Sequence, residues 1–167
     1  MEEGRPNGRL FQFCASQQYK GGTFMIYHHI LVAYDGSEAA DKALKQAVEL
    51  TERNMGSKLT VVHVLYRSAL SFEGFVGIIP GDYQEKLREY EDALIQKASE
   101  RISVLSYAEI IVVTGYPATV ILETAADRNC DLIVMGSRGL GAFKEWMLGS
   151  VSHHVVQHAR IPVLVVK

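Results

Sequence analysis

The sequence predicts an α/β protein: an open, doubly wound sheet of five parallel strands with helices on both faces. Three observations carry that expectation. From Met25 to the C-terminus, five short apolar runs alternate with segments of helical periodicity, strand first and strand last. The runs are near-continuous in apolar residues rather than alternating, the pattern of strands covered on both faces. The segments between them are long enough to be helical crossovers, which join parallel neighbours with right-handed connections.

The first strand centres on Ile30-Leu31-Val32-Ala33 and stops at Asp35-Gly36. Ser37 has the chemistry of a helix N-cap, and Glu38 and Asp41 fall in the first turn, where the helix dipole favours acid. Ala40, Leu44, Ala47, Val48 and Met55 keep helical spacing until Gly56. Lys58 to Leu65 reads as the second strand. Tyr83, Leu87, Tyr90, Leu94, Ala98, Ile102 and Leu105 mark one face of a long helix. Glu109 to Val113 is the third strand. Pro117 suits the first helical turn, where its missing N–H goes unneeded, and Ile121 and Ala125 carry that helix to an end near Asn129. Asp131 to Met135 is the fourth strand, Ser150 to Ala159 the last helix and Pro162 to Val166 the fifth strand.

Residues 1–24 differ from the rest, with four Gly, one Pro, three Gln and no apolar periodicity. They read as an N-terminal extension, a vector-derived leader or the product of an upstream start, ahead of a domain spanning 25–167. The competing reading is an arm that packs on a partner.

Length and composition exclude several classes. The 167 residues are close to one domain. With 48% apolar and 22% charged residues, the chain can offset the entropy of ordering and is no disordered polyelectrolyte. A formal net charge of −2 argues against a general nucleic-acid binder, which needs a basic stripe. Cys14 and Cys130 are far apart and lack CxxC spacing, against a disulfide scaffold or zinc ribbon. No apolar run approaches a membrane span, and Gln12 and Ser16 interrupt any signal-peptide core. The expectation is a soluble cytoplasmic protein without membrane or nucleic-acid partners.

In doubly wound sheets ligands sit beyond the carboxyl ends of the strands, where strand order reverses. Four of the 14 glycines lie between 136 and 149, directly after the fourth strand. Glycines leaving a strand toward a helix let backbone N–H groups approach a phosphate, and the helix N-terminus adds partial positive charge. A Walker A loop fails, because Gly141 is followed by Ala142 and Phe143; a Rossmann fingerprint fails, because Lys144 stands where its last glycine belongs. What fits is G-x2-G-x9-G-S, with Gly136, Gly139, Gly149 and Ser150. Ser150 is suited both to cap the following helix and to donate to a phosphate oxygen. Spacing alone leaves two readings open: a phosphate-binding loop, or a glycine-rich connection without a ligand.

The run Met135-Gly136-Ser137-Arg138-Gly139, then Leu148-Gly149-Ser150-Val151-Ser152 and Ile161-Pro162-Val163-Leu164-Val165-Val166, resembles the universal stress protein family. Ile30 to Ser37 resembles that family's first strand and loop, and Val61-Val62-His63-Val64 its second strand. The resemblance covers about 25–167 and implies an adenine nucleotide alpha hydrolase-like fold with strand order 3-2-1-4-5. It further implies an ATP site, with Mg²⁺, in the branch that keeps the glycine motif. By position, Ala33 and Asp35 would lie at the nucleoside end, with Asp35 near the ribose or a phosphate-bound metal. Val64 would contact the adenine. Met135, Gly136, Ser137, Arg138 and Gly139 would wrap the ribose and α-phosphate, and Gly149, Ser150 and Val151 would receive the distal phosphates. The resemblance also implies a homodimer through the last strand, Val163–Val166, a use for an otherwise exposed edge.

Other constellations are weaker. His154 and His158 have the spacing of a zinc pair, but Val155 stands where a metalloprotease has Glu, so they read as helix-face residues with His153. His63, flanked by valines, reads as a satisfied core histidine, and His28-His29 as a solvated strand start. Cys130 reads as a buried, inert thiol. Asp35 lacks the acidic cluster and lysine of a phospho-acceptor, and no G-x-S-x-G elbow is present. Residues 66–82 carry Leu70, Phe72, Phe75, Val76, Ile78 and Ile79 between glycines, the material of a lid, a partner surface or a cover for the sheet end. No general base stands out, so the expected function is an ATP-binding stress-response module, at most slowly hydrolytic, whose nucleotide state modulates partner interaction. The alternatives are a partner-binding dimer without nucleotide and an ATP-dependent transferase with its acceptor at 66–82.

Overall fold

The structure, a computed structural model, describes residues 27–54, 56–65, 81–140 and 148–167, with 81–84 as backbone alone. The extension 1–24, Met55 and residues 66–80 of the candidate lid at 66–82 lie outside the described residues, the last two residues of that segment being the start of a helix.

The elements alternate as expected: β1 (His29–Ala33), α1 (Glu38–Arg53), β2 (Lys58–Leu65), α2 (Gly81–Ile102), β3 (Ala108–Thr114), α3 (Pro117–Asp127), β4 (Leu132–Gly136), α4 (Ser150–His158) and β5 (Val163–Val166). All strand pairs are parallel, and the sheet runs β3-β2-β1-β4-β5. Strand order therefore reverses between β1 and β4, where Ala33 lies beside both Val62 and Met135.

The period-2 alternation of strand side chains builds two cores. Ile30, Val32, Leu59, Val61 and Val134 pack against Ala43, Leu44 and Ala47 of α1 and Leu94 and Ala98 of α2. On the other face Leu31, Val62, Ile133 and Met135 meet Ile121 and Ala125 of α3 and Val155 of α4. Covering on both faces holds for β1, β2 and β4, but not for the edges. Val112 on β3 is 43% exposed and Leu164 on β5 37%, because the helices lie over the middle of the sheet.

Local chemistry explains the boundaries. Ser37 caps α1, its hydroxyl accepting from the Ala40 N–H at 3.2 Å, and Asp35 Oδ1 accepts from the Ser37 N–H at 3.0 Å. Pro117 occupies the first turn of α3. That helix ends in a Schellman arrangement: Asn129 has φ 53°, its N–H bonds the Ala126 carbonyl, and the Cys130 N–H bonds that of Ala125. The cap of α4 is one residue earlier than expected. Gly149 is the N-cap, in extended backbone, and Ser150 is the first helical residue. His29 is also more than a solvated strand start: its Nδ1 pairs with the Arg128 carbonyl and its Nε2 with Thr60 Oγ1.

A polar clasp joins α1 to α2. The buried Tyr34 hydroxyl donates to Asp41 Oδ1 at 2.9 Å, and Lys97 Nζ donates to Asp41 Oδ2 at 2.6 Å. Burial, then the Asp41 hydrogen bond, holds the Tyr34 hydroxyl well above its ordinary pKa. At Asp41 burial pushes upward, but the hydrogen bonds and charges of Lys97, Tyr34 and Arg101 prevail and lower it.

Candidate functional site

The order reversal opens a cavity of about 470 Å³ over the carboxyl ends of the strands, within the range of small-molecule sites. Ten of the eleven residues singled out from sequence line it: Ala33, Asp35, Val64, Met135, Gly136, Arg138, Gly139, Gly149, Ser150 and Val151. Ser137 does not. It is buried, and its backbone ties the loop together: its N–H donates to the Val166 carbonyl at 2.7 Å, while its carbonyl accepts from the Gly149 N–H and the Ser152 hydroxyl, both at 2.8 Å. The loop leaving β4 is thereby brought back to open α4.

The glycines serve different ends. A Cβ on Gly136 would stand 2.9 Å from the Ala39 and Ala40 backbone, so this glycine lets α1 lie directly on β4. A Cβ on Gly139 would stand 2.5 Å from Asp35 Oδ2, so this one lets the loop approach the carboxylate. A Cβ on Gly149 meets nothing nearer than Arg138 Cα at 3.4 Å, an ordinary contact.

The two ends of the cavity differ in chemistry. At one, α4 begins with no side-chain cap and no acidic residue in its first turn, leaving first-turn N–H groups and the positive end of the helix dipole toward the opening. Ser152 does not close them, since its hydroxyl donates to the carbonyls of Ser137 and Gly149. Arg138 lies beside them. Elsewhere the walls are largely apolar, with Val62, Val64, Ile121, Pro117 and Met135 from the sheet and α3 and Leu87, Tyr90 and Leu94 from α2, broken by His63 of β2 and Glu91 of α2.

The α2 wall escaped the sequence reading. Leu87, Tyr90 and Leu94 carry the helical spacing of a core face, yet only Leu94 is buried; Leu87 and Tyr90 are 45% and 46% exposed, projecting past the sheet into the opening. His63 is buried as expected, its Nδ1 2.9 Å from the Tyr34 carbonyl, but it also lines the cavity. The rings of His154 and His158 stack on α4 with centroids 4.1 Å apart. Among the described residues no three His, Cys, Asp or Glu side chains gather to hold a metal, and no helix is long and apolar enough to cross a membrane.

Residues 26–167 match the Universal stress protein family. A universal stress protein of Bacillus subtilis, YxiE, is 35% identical over 149 residues, covering 85% of this chain and all of the relative. The solved structure of UspA from Lactobacillus plantarum is similar with a TM-score of 0.71 at 26% identity, over 84% of this chain and 98% of its own. The universal stress protein of Archaeoglobus fulgidus in complex with dAMP shares the fold, with a TM-score of 0.61 at 24% identity, over 86% of this chain and all of its own. Fold and strand order agree with these likenesses, and the chain belongs to the universal stress protein family.

Proposed function

We propose that the cavity binds an adenine nucleotide, ATP with Mg²⁺, and that the chain is a cytoplasmic stress-response module whose nucleotide state modulates a protein partner. The observation that carries this reading is the polarity of one continuous cavity: uncapped helix N-terminus, Arg138 and close-approach glycines at one end, apolar walls suited to a base and ribose at the other. The phosphates would lie against Gly149, Ser150 and Val151, and the nucleoside against Ala33, Val64 and Met135.

The residues present fit Mg²⁺. Magnesium is commonly held by one or two carboxylates together with substrate phosphates and water. Asp35 supplies one such group: its Oδ1 is engaged by the Ser37 N–H, and its Oδ2 faces the glycine loop that admits it. The ion would neutralise phosphate charge there. Among the described residues Asp35 and Arg138 supply little charge neutralisation for phosphoryl transfer, so hydrolysis would be slow. We further propose a homodimer through β5, whose outer edge is unpaired among the described residues and carries the exposed Leu164.

The test is the nucleotide content of protein purified without added ligand, released by denaturation and separated by ion exchange, beside a Ser150→Glu variant. A carboxylate at the first turn of α4 favours the helix and repels phosphate. Stoichiometric ATP in the parent, lost in a variant that melts at the same temperature, supports the reading. Absence of nucleotide, with no thermal shift on adding millimolar MgATP, refutes it.

A further inference from the structure

The helix whose first turn opens the cavity carries a different chemistry at its other end. His154 and His158 lie four residues apart on α4, a spacing that sets Cβ atoms about 5–6 Å apart on one helix face. Both residues are exposed, and their rings stack with centroids 4.1 Å apart. The Nδ1 of His158 lies 2.9 Å from the His154 carbonyl. A carbonyl only accepts, so Nδ1 carries the proton and Nε2 is the lone-pair nitrogen of the neutral ring. A backbone carbonyl on the second nitrogen is also what fixes the tautomer and orientation of a metal-ligating histidine. Neither ring nitrogen of His154 has a hydrogen-bond partner among the described residues.

From this we propose that His154 and His158 chelate a divalent metal ion of the zinc, nickel and copper class across one turn of α4. A tetrahedral ion about 2.0–2.1 Å from each of two nitrogens holds them about 3.4 Å apart. Rings stacked at 4.1 Å are close to that spacing, and turning two exposed side chains about their own bonds completes the approach without moving the backbone. Imidazole suits this class of ion, whereas Mg²⁺ prefers oxygen, so the pair and Asp35 would take different metals. Val155 stands where a metalloprotease has Glu, which removes a hydrolytic base and neither ligand. No third His, Cys, Asp or Glu joins the pair among the described residues, so water completes the coordination and the ion is held reversibly. Bound there, it braces the last turn of α4 just before the chain enters β5.

The probe is Zn²⁺ alone, titrated calorimetrically into the full chain carrying Cys14→Ser, which removes a competing thiol ligand. One ion per chain is expected. His154→Ala or His158→Ala should weaken its binding at least about tenfold, whereas His153→Ala, about 100° round the helix, should leave it within about twofold. All three substitutions are at exposed positions, so the variants should melt with the parent before zinc is added. With Zn²⁺ at about ten times the parent's Kd, the melting temperature is expected to rise by about 3–5 °C in the parent and His153→Ala and to stay put in the other two. In ¹⁵N-histidine-labelled parent, the Nε2 resonance of His158 is expected to move on adding Zn²⁺ while Nδ1 keeps the signature of a protonated nitrogen. No binding at about 1 mM Zn²⁺, an affinity unchanged in His154→Ala or His158→Ala, an equal loss in His153→Ala, or an indifferent Nε2 resonance overturns the inference.

Discussion

Substituting alanine at two glycines of the same motif should give opposite results. At Gly136 the added Cβ falls 2.9 Å from the Ala39 carbonyl carbon, the Ala39 Cβ and the Ala40 nitrogen. Ordinary carbon contacts lie at about 3.5–4.0 Å, so α1 would have to retreat by about 0.5–1 Å. It has little room. Ala40 is 3% exposed, Ala43, Leu44 and Ala47 are fully buried, and the obstructing atoms are backbone rather than the end of a flexible side chain. Overpacking of this kind costs about 1–3 kcal/mol, offset by about 0.4–1 kcal/mol as alanine reduces the freedom of the unfolded chain. The net loss of about 1–2 kcal/mol corresponds to a fall in melting temperature of about 2–8 °C for a domain of this size. At Gly149 the nearest contact is 3.4 Å and the backbone is ordinary extended chain. There the unfolded-state gain and the poorer capping by alanine roughly cancel, leaving the protein within about 1 kcal/mol of the parent. Circular-dichroism melts of both variants beside the parent decide it. A Gly136→Ala protein that melts at or above the parent temperature would show that α1 does not rest on Gly136.

Three further outcomes are expected. Asp41 has its folded pKa lowered by Lys97, Tyr34 and Arg101 despite burial, so its contribution is present above the unfolded value of about 3.9 and lost as pH falls through the folded one. Asp41→Asn should therefore cost roughly 1–2 kcal/mol in urea unfolding at neutral pH and progressively less below about pH 4. Burial, aided by Asp131, pushes the Cys130 thiol up to about 11; in a Cys14→Ser background Ellman's reagent at about pH 8 should find no thiol in the native protein and one in guanidinium, and rapid native labelling would contradict the burial. Asn129 holds φ 53°, so Asn129→Ala should lower stability by about 1 kcal/mol while Asn129→Gly stays within about 0.5 kcal/mol, measured by the same urea curves.

Much of this molecule was legible in its sequence because the relevant forces are local. The cap at Ser37, the proline opening α3 and the end of that helix near Asn129 each follow from the chemistry of one side chain and its own backbone. The unread parts depend on what lies across space. Leu87 and Tyr90 have the spacing of Leu94 and Ala98, and periodicity cannot tell that α2 outruns the sheet, so cavity wall and core look alike. Ser150 looks like the better cap, but the Ser137 carbonyl draws in the Gly149 N–H and Gly149 takes the cap, one residue earlier. His29 precedes the buried run and reads as wet, until strand pairing places it beside Lys58 and the helix end at Arg128.

The same geometry bears on what a glycine motif can prove. Gly136 is required wherever α1 packs on β4, ligand or no ligand, whereas Gly139 is crowded only by the end of the Asp35 side chain. A chain that had given up nucleotide would still need the first for its fold. Gly149 is different: nothing in the protein's own packing forbids a side chain there, and glycine has no capping group to close the N–H groups of α4. An open helix start is a cost to a protein with nothing to bind and an asset to one that receives an anion. The weight of the motif as evidence for phosphate therefore rests on its last glycine, and Ser150→Glu, one residue further on, strikes at that part of the site while leaving the packing of Gly136 untouched.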